Sequence, residues 1–376
     1  MTADTTAPRH TPLDAVHQAL GATMTDFAGW RMPLRYGSER EEHQAVRTRA
    51  GLFDLSHMGE IRVTGPQAAD ALDYALVGHL SAVAPGRARY TMICNERGGI
   101  LDDLIVYRLA TDTYLVVANA ANARVVADAL TARAQGFDAT VTDAADDYAL
   151  LAVQGPRAAD ILAGLTDTDL ADVRYYAGVP TTVAGAEVLL ARTGYTGEDG
   201  FELFLSPDDA APVWRALSEA GADAGLVPCG LACRDTLRLE AGMPLYGHEL
   251  TADTTPFDAG LGRVVKFDKT TNDGRFVGRD ALAAAAERPA TRTLVGLVAE
   301  GRRVPRAGYP VVDTASGAVI GEVTSGAPSP TLGRPIAMAY VDPRHAEPGT
   351  AGVAVDIRGK HEPYEVVALP FYKRQR

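Results

Sequence analysis

The chain has 376 residues, enough for two or three domains with substantial cores, and 47% of it is hydrophobic, so folding needs neither metal nor disulfide staples. A formal net charge of −12 argues against nucleic acid or an anionic membrane as partner, because either needs a broad basic surface, yet it leaves room for an anionic small molecule in a local basic pocket. Three cysteines, Cys94, Cys229 and Cys233, make no C-x-x-C pair and fit a reducing compartment, with the cytoplasm as the expectation.

In chain order, the opening MTADTTAPRHTPLDAV reads as neither signal nor transit peptide, and no later run has the length of a membrane span. In DLSHMGE, His57 has no second histidine at metal-ligand spacing and reads as structural. Two segments then match closely, VTGPQAADAL from Val63 and VQGPRAADIL from Val153. Each reads as a strand ending in Gly-Pro, with proline suited to the first helical position and an alanine-rich helix after it. A strand–turn–helix unit used twice predicts an α+β architecture of two similar subdomains. Further strands, ARYTMICN, DLIVYRL, TYLVVAN, YALLAVQ, AEVLLART and FELFLS, alternate with helices such as ARVVADALTARA and AAPVWRALSEAG.

Within NERGGILDDLIVYRL, Asn95 to Leu109, two adjacent aspartates enter an apolar strand. Neighbouring side chains of an extended segment point to opposite faces, so Asp102 sides with Leu104 and Val106, and Asp103 with Ile105 and Tyr107. Whichever way the strand packs, one carboxylate faces inward. In GYTGEDGFELFLS, Glu202 is the lone charge among bulky apolar neighbours, and a buried carboxylate needs a partner. A structural arginine is one answer; a ligand edge with two parallel N–H donors, such as a guanidinium or the aminopyrimidinone of a pterin, is the other. Gly194, Gly197 and Gly200 give the preceding loop a close approach to a ligand, but their spacing is no dinucleotide fingerprint.

CGLACRDTLRLEAGMPLYGHEL reads as a helix from Cys229 to Glu240, stopped at Gly242. Arg234 and Arg238 share a face; Asp235 suits Arg238 as a surface partner, and Arg234 has no local one. Cys229 and Cys233, as helix neighbours, fill space. An alanine-rich helix ends at Pro289, and from RTLVGLVAE to YEVVAL short alternating strands read as a small β-barrel or sandwich. The expected division is 8–285, two interleaved α+β subdomains, and 291–376. The basic tail FYKRQR either is solvated or folds over an anionic ligand. Neither H-E-x-x-H, G-x-S-x-G nor a Walker loop occurs, which leaves zinc hydrolysis, serine acyl transfer and nucleotide cofactors without support.

Taken together, FAGWRMPLRY, GLFDLSHMGE, NERGGILDDLIVY, GYTGEDGFEL, CRDTLRLEAGMPLYGHEL and GEVTSGAPSPTLG resemble, in order, the aminomethyltransferase of the glycine cleavage system, its T-protein. The resemblance runs from about Thr11 to PFYKR. It implies three domains in a cloverleaf around a central tetrahydrofolate, the last a β-barrel. It also implies transfer of the methylene of an aminomethyl group, carried on the lipoyl arm of H-protein, to tetrahydrofolate. The products are ammonia, 5,10-methylenetetrahydrofolate and dihydrolipoyl H-protein. Tetrahydrofolate and lipoylated H-protein are the expected partners, with no metal, nucleotide, nucleic acid or membrane.

By motif, the family's catalytic aspartate falls on Asp103, leaving Asp102 a structural or turn residue. Its folate-binding positions fall on Met58, Tyr90, Tyr175, Tyr195, Glu202 and Arg234, with Arg374 for the glutamyl tail. A fixed anion at Asp103 in a water-poor pocket suits the positive charge that develops at the transferred carbon and nitrogen. H-proteins are acidic, so docking calls for a local basic or apolar patch, for which Arg292, Arg302, Arg303 and Arg306 are candidates. The rivals are a non-catalytic folate-binding relative of iron–sulfur cluster assembly, whose K-G-C-[YF]-x-G-Q-E motif is missing, and a folate-dependent demethylase or the transferase half of a sarcosine or dimethylglycine oxidising enzyme.

Overall fold

Alternating apolar positions build two sheets that share a core. One is antiparallel and five-stranded, in the order Arg87–Cys94, Ile100–Ala110, Thr113–Ala118, Gly59–Thr64, Thr140–Asp143. The other has six strands, Gly178–Val183, Ala186–Ala191, Gly200–Leu205, Ala149–Gln154, Ala50–Asp54 and Leu226–Pro228, only the last pair parallel. The computed structural model describes residues 7–374. Residues 1–6 of the opening segment read above for a signal or transit peptide, and residues 375–376 of the expected terminal domain, therefore lie outside the described residues.

The outer face of each sheet is covered by its own helices. Phe201, Leu203 and Leu205 pack with Trp214 of helix Ala210–Gly221, and Ile61, Leu104 and Val106 with Leu72 and Val126. The inner faces meet each other, Tyr107, Leu115 and Val117 against Phe53, Leu150 and Phe204. Strands buried on both faces cannot keep a polar side open to water, so every polar group in this seam needs a partner or a ligand.

The two matching segments fold alike, but with a correction. The helices are Ala68–Ala75 and Ala158–Ala163, so Pro66 and Pro156 precede the helix instead of opening it. A tight turn intervenes, closed by Ala68 N–H to Gly65 O at 3.0 Å and Ala158 N–H to Gly155 O at 3.0 Å. Its glycines have φ of 122° and 130°, and a Cβ at either would lie 2.6 Å from a backbone oxygen, of Asp138 or Arg49. Glycine is required there by both conformation and space.

Beyond helix Arg279–Glu287 the chain forms a closed six-stranded barrel, whose strand order is Thr293–Ala299, Arg334–Val341, Val319–Ser329, Pro310–Asp313, Val353–Asp356, His361–Val367. Leu297, Val311, Val323 and Val366 fill it, and Val298, Ile336 and Met338 on its outside pack on Leu239. Leu239 belongs to helix Leu231–Glu240, which starts two residues later than the sequence suggested, with Cys229 ahead of it. Arg238 of this helix is also not a surface residue. It is 1% exposed and holds Glu249 (2.9 Å) and Ser325 of the barrel (2.8 Å) as well as Asp235 (2.8 Å). The N-terminal three-stranded sheet of Arg9–His10, Trp30–Arg35 and Thr23–Phe27 was not foreseen. Among the described residues no helix is long and apolar enough to cross a membrane.

Glu240 clamps the barrel to the rest. It accepts from Ser329 Oγ (2.5 Å) and Thr331 Oγ1 (2.7 Å) of the barrel, and meets Arg47 Nη2 (2.9 Å) and His43 Nε2 (3.0 Å). Burial alone would raise its pKa, but the bond and charge of His43, then Ser329 and Thr331, outweigh that and hold it at about 2, below the ordinary 4.5. A depressed pKa means the stabilisation is complete above 4.5 and disappears as pH falls toward about 2. Glu240→Gln is expected to cost about 3 kcal/mol at neutral pH in urea unfolding, by leaving Arg47 and His43 with less than a full partner. The gap from wild type should close over that acid range; equal stability at neutral pH refutes the clamp.

Candidate active site

The strand Ile100–Ala110 carries Asp102 and Asp103 on opposite faces. Asp102 is fully buried on the Leu104 side, accepting from Asn119 N–H (2.9 Å), Asn119 Nδ2 (2.9 Å) and Asn122 Nδ2 (2.9 Å). Asp103 is half-buried and faces the seam between the sheets, accepting from Tyr90 Oη (3.0 Å) and Asn119 Nδ2 (2.8 Å). The register explains Asn119: Ile105 pairs with Val117, which brings position 119, just past the neighbouring strand, level with 103. One amide therefore touches both carboxylates. Burial first, then the charge of Asp103, pushes Asp102 up to about 7 against the bonds from Asn122 and Asn119. Burial pushes Asp103 up to about 6, with Tyr90 and Asn119 restraining the rise.

Asp103 lines a cavity of about 320 Å³ together with Met58, Tyr90, Tyr195, Glu202 and Arg234. The structure thus brings six of the expected site residues together, from both sheets and the helix Leu231–Glu240. Glu202 is 8% exposed and accepts from Thr193 Oγ1 and, at 3.4 Å, from Tyr107 Oη. Among the described residues it has no arginine within ion-pair distance, although the Arg234 charge pulls its pKa back against the dominant effect of burial. Arg234 makes no side-chain hydrogen bond among the described residues; its guanidinium lies 4.8 Å from the Tyr195 ring centre. Burial lowers its pKa, opposed first by Glu202. Both protein bonds to Glu202 end on Oε2, so its Oε1 and the Arg234 guanidinium, neither hydrogen-bonded among the described residues, face one largely apolar cavity.

Tyr175 and Arg374 lie elsewhere. Tyr175 is 49% exposed, and the neighbour lining the cavity is Tyr176, held at φ 58°. Tyr175 and Arg374 instead border an adjoining groove of about 660 Å³ that shares Gly194 and Met243 with the cavity. Arg374 Nη1 sits 3.4 Å from Asp199. The glycines of the GYTGEDG loop serve the protein's own packing: a Cβ on Gly194 or Gly200 would collide with Gln154, and one on Gly197 with Ala241. Asn119, Tyr176 and Tyr107 were missed from sequence. Counting from the turn pair Ala110–Thr113 would set Asn119 opposite Leu104; the register shift between Arg108 and Ala110 brings it level with Asp103.

On the far side, a second chamber of about 390 Å³ shares Met58, Asn119, Tyr195 and Arg234 with the first. Its outer residues Asp235, Arg238 and His248 also border a surface groove of about 900 Å³ that carries Arg303, Arg306, Arg358 and Lys360. Arg292 is engaged elsewhere, bonding Asp253 O and Thr254 and lying 4.5 Å from the Tyr340 ring centre.

A family model described as the GCVT N-terminal domain matches residues 13–269, and one described as the glycine cleavage T-protein C-terminal barrel domain matches 292–373. The chain is 74% identical over 373 residues to the aminomethyltransferase of Streptomyces avermitilis, covering 98% of this chain and 99% of that one. It is 68% identical over 368 residues to that of Saccharopolyspora erythraea, covering 98% and 99%. Among solved structures, the glycine cleavage system aminomethyltransferase T from Bartonella henselae matches with a TM-score of 0.89 at 39% identity, covering 97% of this chain and 98% of that one.

Proposed function

The chain belongs to the aminomethyltransferase family of the glycine cleavage system, and we propose that Asp103 is the carboxylate at which its reaction takes place. The activity is that of the family: the methylene of the aminomethyl group on lipoylated H-protein passes to tetrahydrofolate, with release of ammonia, giving 5,10-methylenetetrahydrofolate and dihydrolipoyl H-protein. We further assign the reaction to the cytoplasm, without metal or nucleotide, and the chain to units 8–285 and 291–376. The observation that carries the site assignment is that Glu202, with no hydrogen bond on Oε1, and Arg234, with none on its side chain among the described residues, share one cavity with Asp103.

In this reading Glu202 offers its open edge to the parallel N–H donors of the pterin, Arg234 supplies the complementary cation, and Tyr195, Tyr176 and Met58 wall the ring. Tyr90 and Asn119 fix the Asp103 oxygens while apolar neighbours keep water away, so the anion needs no reorganisation when positive charge builds at the transferred methylene. Tyr175 and Arg374 stand where the glutamyl tail leaves through the adjoining groove. The basic groove of Arg303 and Arg306, open to the second chamber, is the docking face for acidic H-protein.

Asp103→Asn is expected to slow ammonia release roughly 10²-fold while folate still binds. Wild-type kcat/KM should fall as pH drops through about 6, as the Asp103 carboxylate takes its proton. Unaltered turnover in the variant refutes the assignment. Glu202→Gln and Arg234→Ala should each weaken tetrahydrofolate roughly tenfold or more in calorimetric titration, the loss of one charge-assisted contact, with unfolding midpoints near wild type. Reversing both Arg303 and Arg306 to glutamate should raise KM for H-protein and flatten its increase with salt, with kcat and folate affinity unchanged; an unmoved KM rules out that face.

A further inference from the structure

The second chamber presents one polar group that the scheme above does not use. His57 is 3% exposed and lines this chamber, its ring meeting Phe27 edge-on at 5.5 Å and 84°. Its Nδ1 is sealed from solvent and has no hydrogen-bond partner. Nε2 likewise bonds nothing among the described residues but is not sealed, so it is the ring nitrogen open to the chamber.

The tautomer follows from the relative cost of unpaired groups. A proton on Nδ1 would bury an orphaned N–H, which folded proteins strongly avoid; on Nε2 it leaves only an unfilled acceptor inside. Nε2–H therefore points into the chamber as a donor. Burial, reinforced by the Arg234 charge, depresses the imidazole to about 4, so it stays neutral at ordinary pH. His57 and Arg234 together make an electropositive wall lined with donors. Asp103, in the cavity beyond the shared Met58, Asn119 and Tyr195, makes the opposite pole.

With folate in the first cavity and its tail leaving past Gly194 and Met243, the second chamber is the other approach to Asp103. Phe27, Leu34, Leu231 and Leu245 give it apolar walls suited to an aliphatic arm. We infer that His57 is a further residue of the reaction site, its Nε2–H donating to the sulfur of the carrier arm as the carbon–sulfur bond breaks. The inference rests on the aminomethyl-transfer reading. The electron pair of the C–S bond goes to sulfur while the amine lone pair forms the C=N bond, so negative charge grows beside His57 and Arg234 and positive charge beside Asp103. The two folate nitrogens then take the carbon, the bond to the departing nitrogen breaks, and their two protons end on ammonia and on the thiolate. His57 keeps its own proton throughout.

The test compares full-length wild type, His57→Ala and His57→Gln with aminomethylated H-protein and tetrahydrofolate, reading ammonia release and, separately, folate affinity by calorimetry. Loss of an anion-stabilising donor should lower kcat in His57→Ala roughly 10²-fold with folate affinity unchanged. The glutamine variant, which carries an N–H at similar reach, should recover most of that loss. Wild-type turnover in the alanine variant, equal losses in both variants, or weakened folate binding overturns the role. A wild-type chain that released no ammonia would instead sink the parent reading, so the two failures are distinguishable.

Discussion

Two neighbouring carboxylates held out of water on one strand set the terms for the rest of the structure. Alternation sends Asp102 and Asp103 to opposite faces, and in a sheet covered on both sides neither face is wet. Burial of an unpaired carboxylate costs several kcal/mol, so each must be matched by donors. Asp102 receives only amides, from Asn119 and Asn122, which restrain but do not cancel the rise that burial and the Asp103 charge impose, and it anchors the end of the adjoining strand. Asp103 receives fewer bonds and keeps an accessible side toward the cavity. Asp102 thus bears on Asp103, the proposed reaction carboxylate, through the single Asn119 side chain that touches both.

The same constraint explains why the cavity needs the barrel. The helix Leu231–Glu240 presents Arg234 to the cavity, while Arg238 and Glu240 are buried against barrel residues Ser325, Ser329 and Thr331. Removing the barrel would leave two charges of that helix without full partners. The barrel therefore completes the polar partners of the helix that presents Arg234, even though none of its strands lines the first cavity.

What sequence reasoning captured was local. Period-two alternation sent one of Asp102 and Asp103 inward, with the family motif choosing Asp103, and marked Glu202 as a lone charge among apolar neighbours; helical spacing put Arg234 and Arg238 on one helix face, and the texture after Pro289 announced a barrel or sandwich, of which the structure has the barrel. What it missed depends on register or on distant partners. Asn119 becomes visible only once Ile105 is known to pair with Val117, and Tyr176 displaces Tyr175 from the cavity because a left-handed backbone there turns successive rings in different directions. Arg238 pairs with Asp235 three residues earlier, as spacing suggests, yet it is buried, since the barrel that covers it begins more than fifty residues later. Of the loop glycines read as room for a ligand, Gly194 and Gly200 are taken up by Gln154, from another strand of the same sheet, and Gly197 by Ala241.

Charge placement across the two chambers resolves an apparent conflict between the chain's composition and its chemistry. A net charge of −12 gives no hint of a cationic interior. Yet among the described residues Arg234 has no hydrogen-bonded anion, and it shares a chamber with a histidine kept neutral by burial and by that arginine. Converting His57 to imidazolium would put a second cation beside the first in a low-dielectric site, which is why it serves only as a dipole. With Asp103 at one end and these donors at the other, the protein holds a fixed field across the space between them. A reaction that separates charge along that direction is assisted; one that leaves the site neutral gains nothing from it.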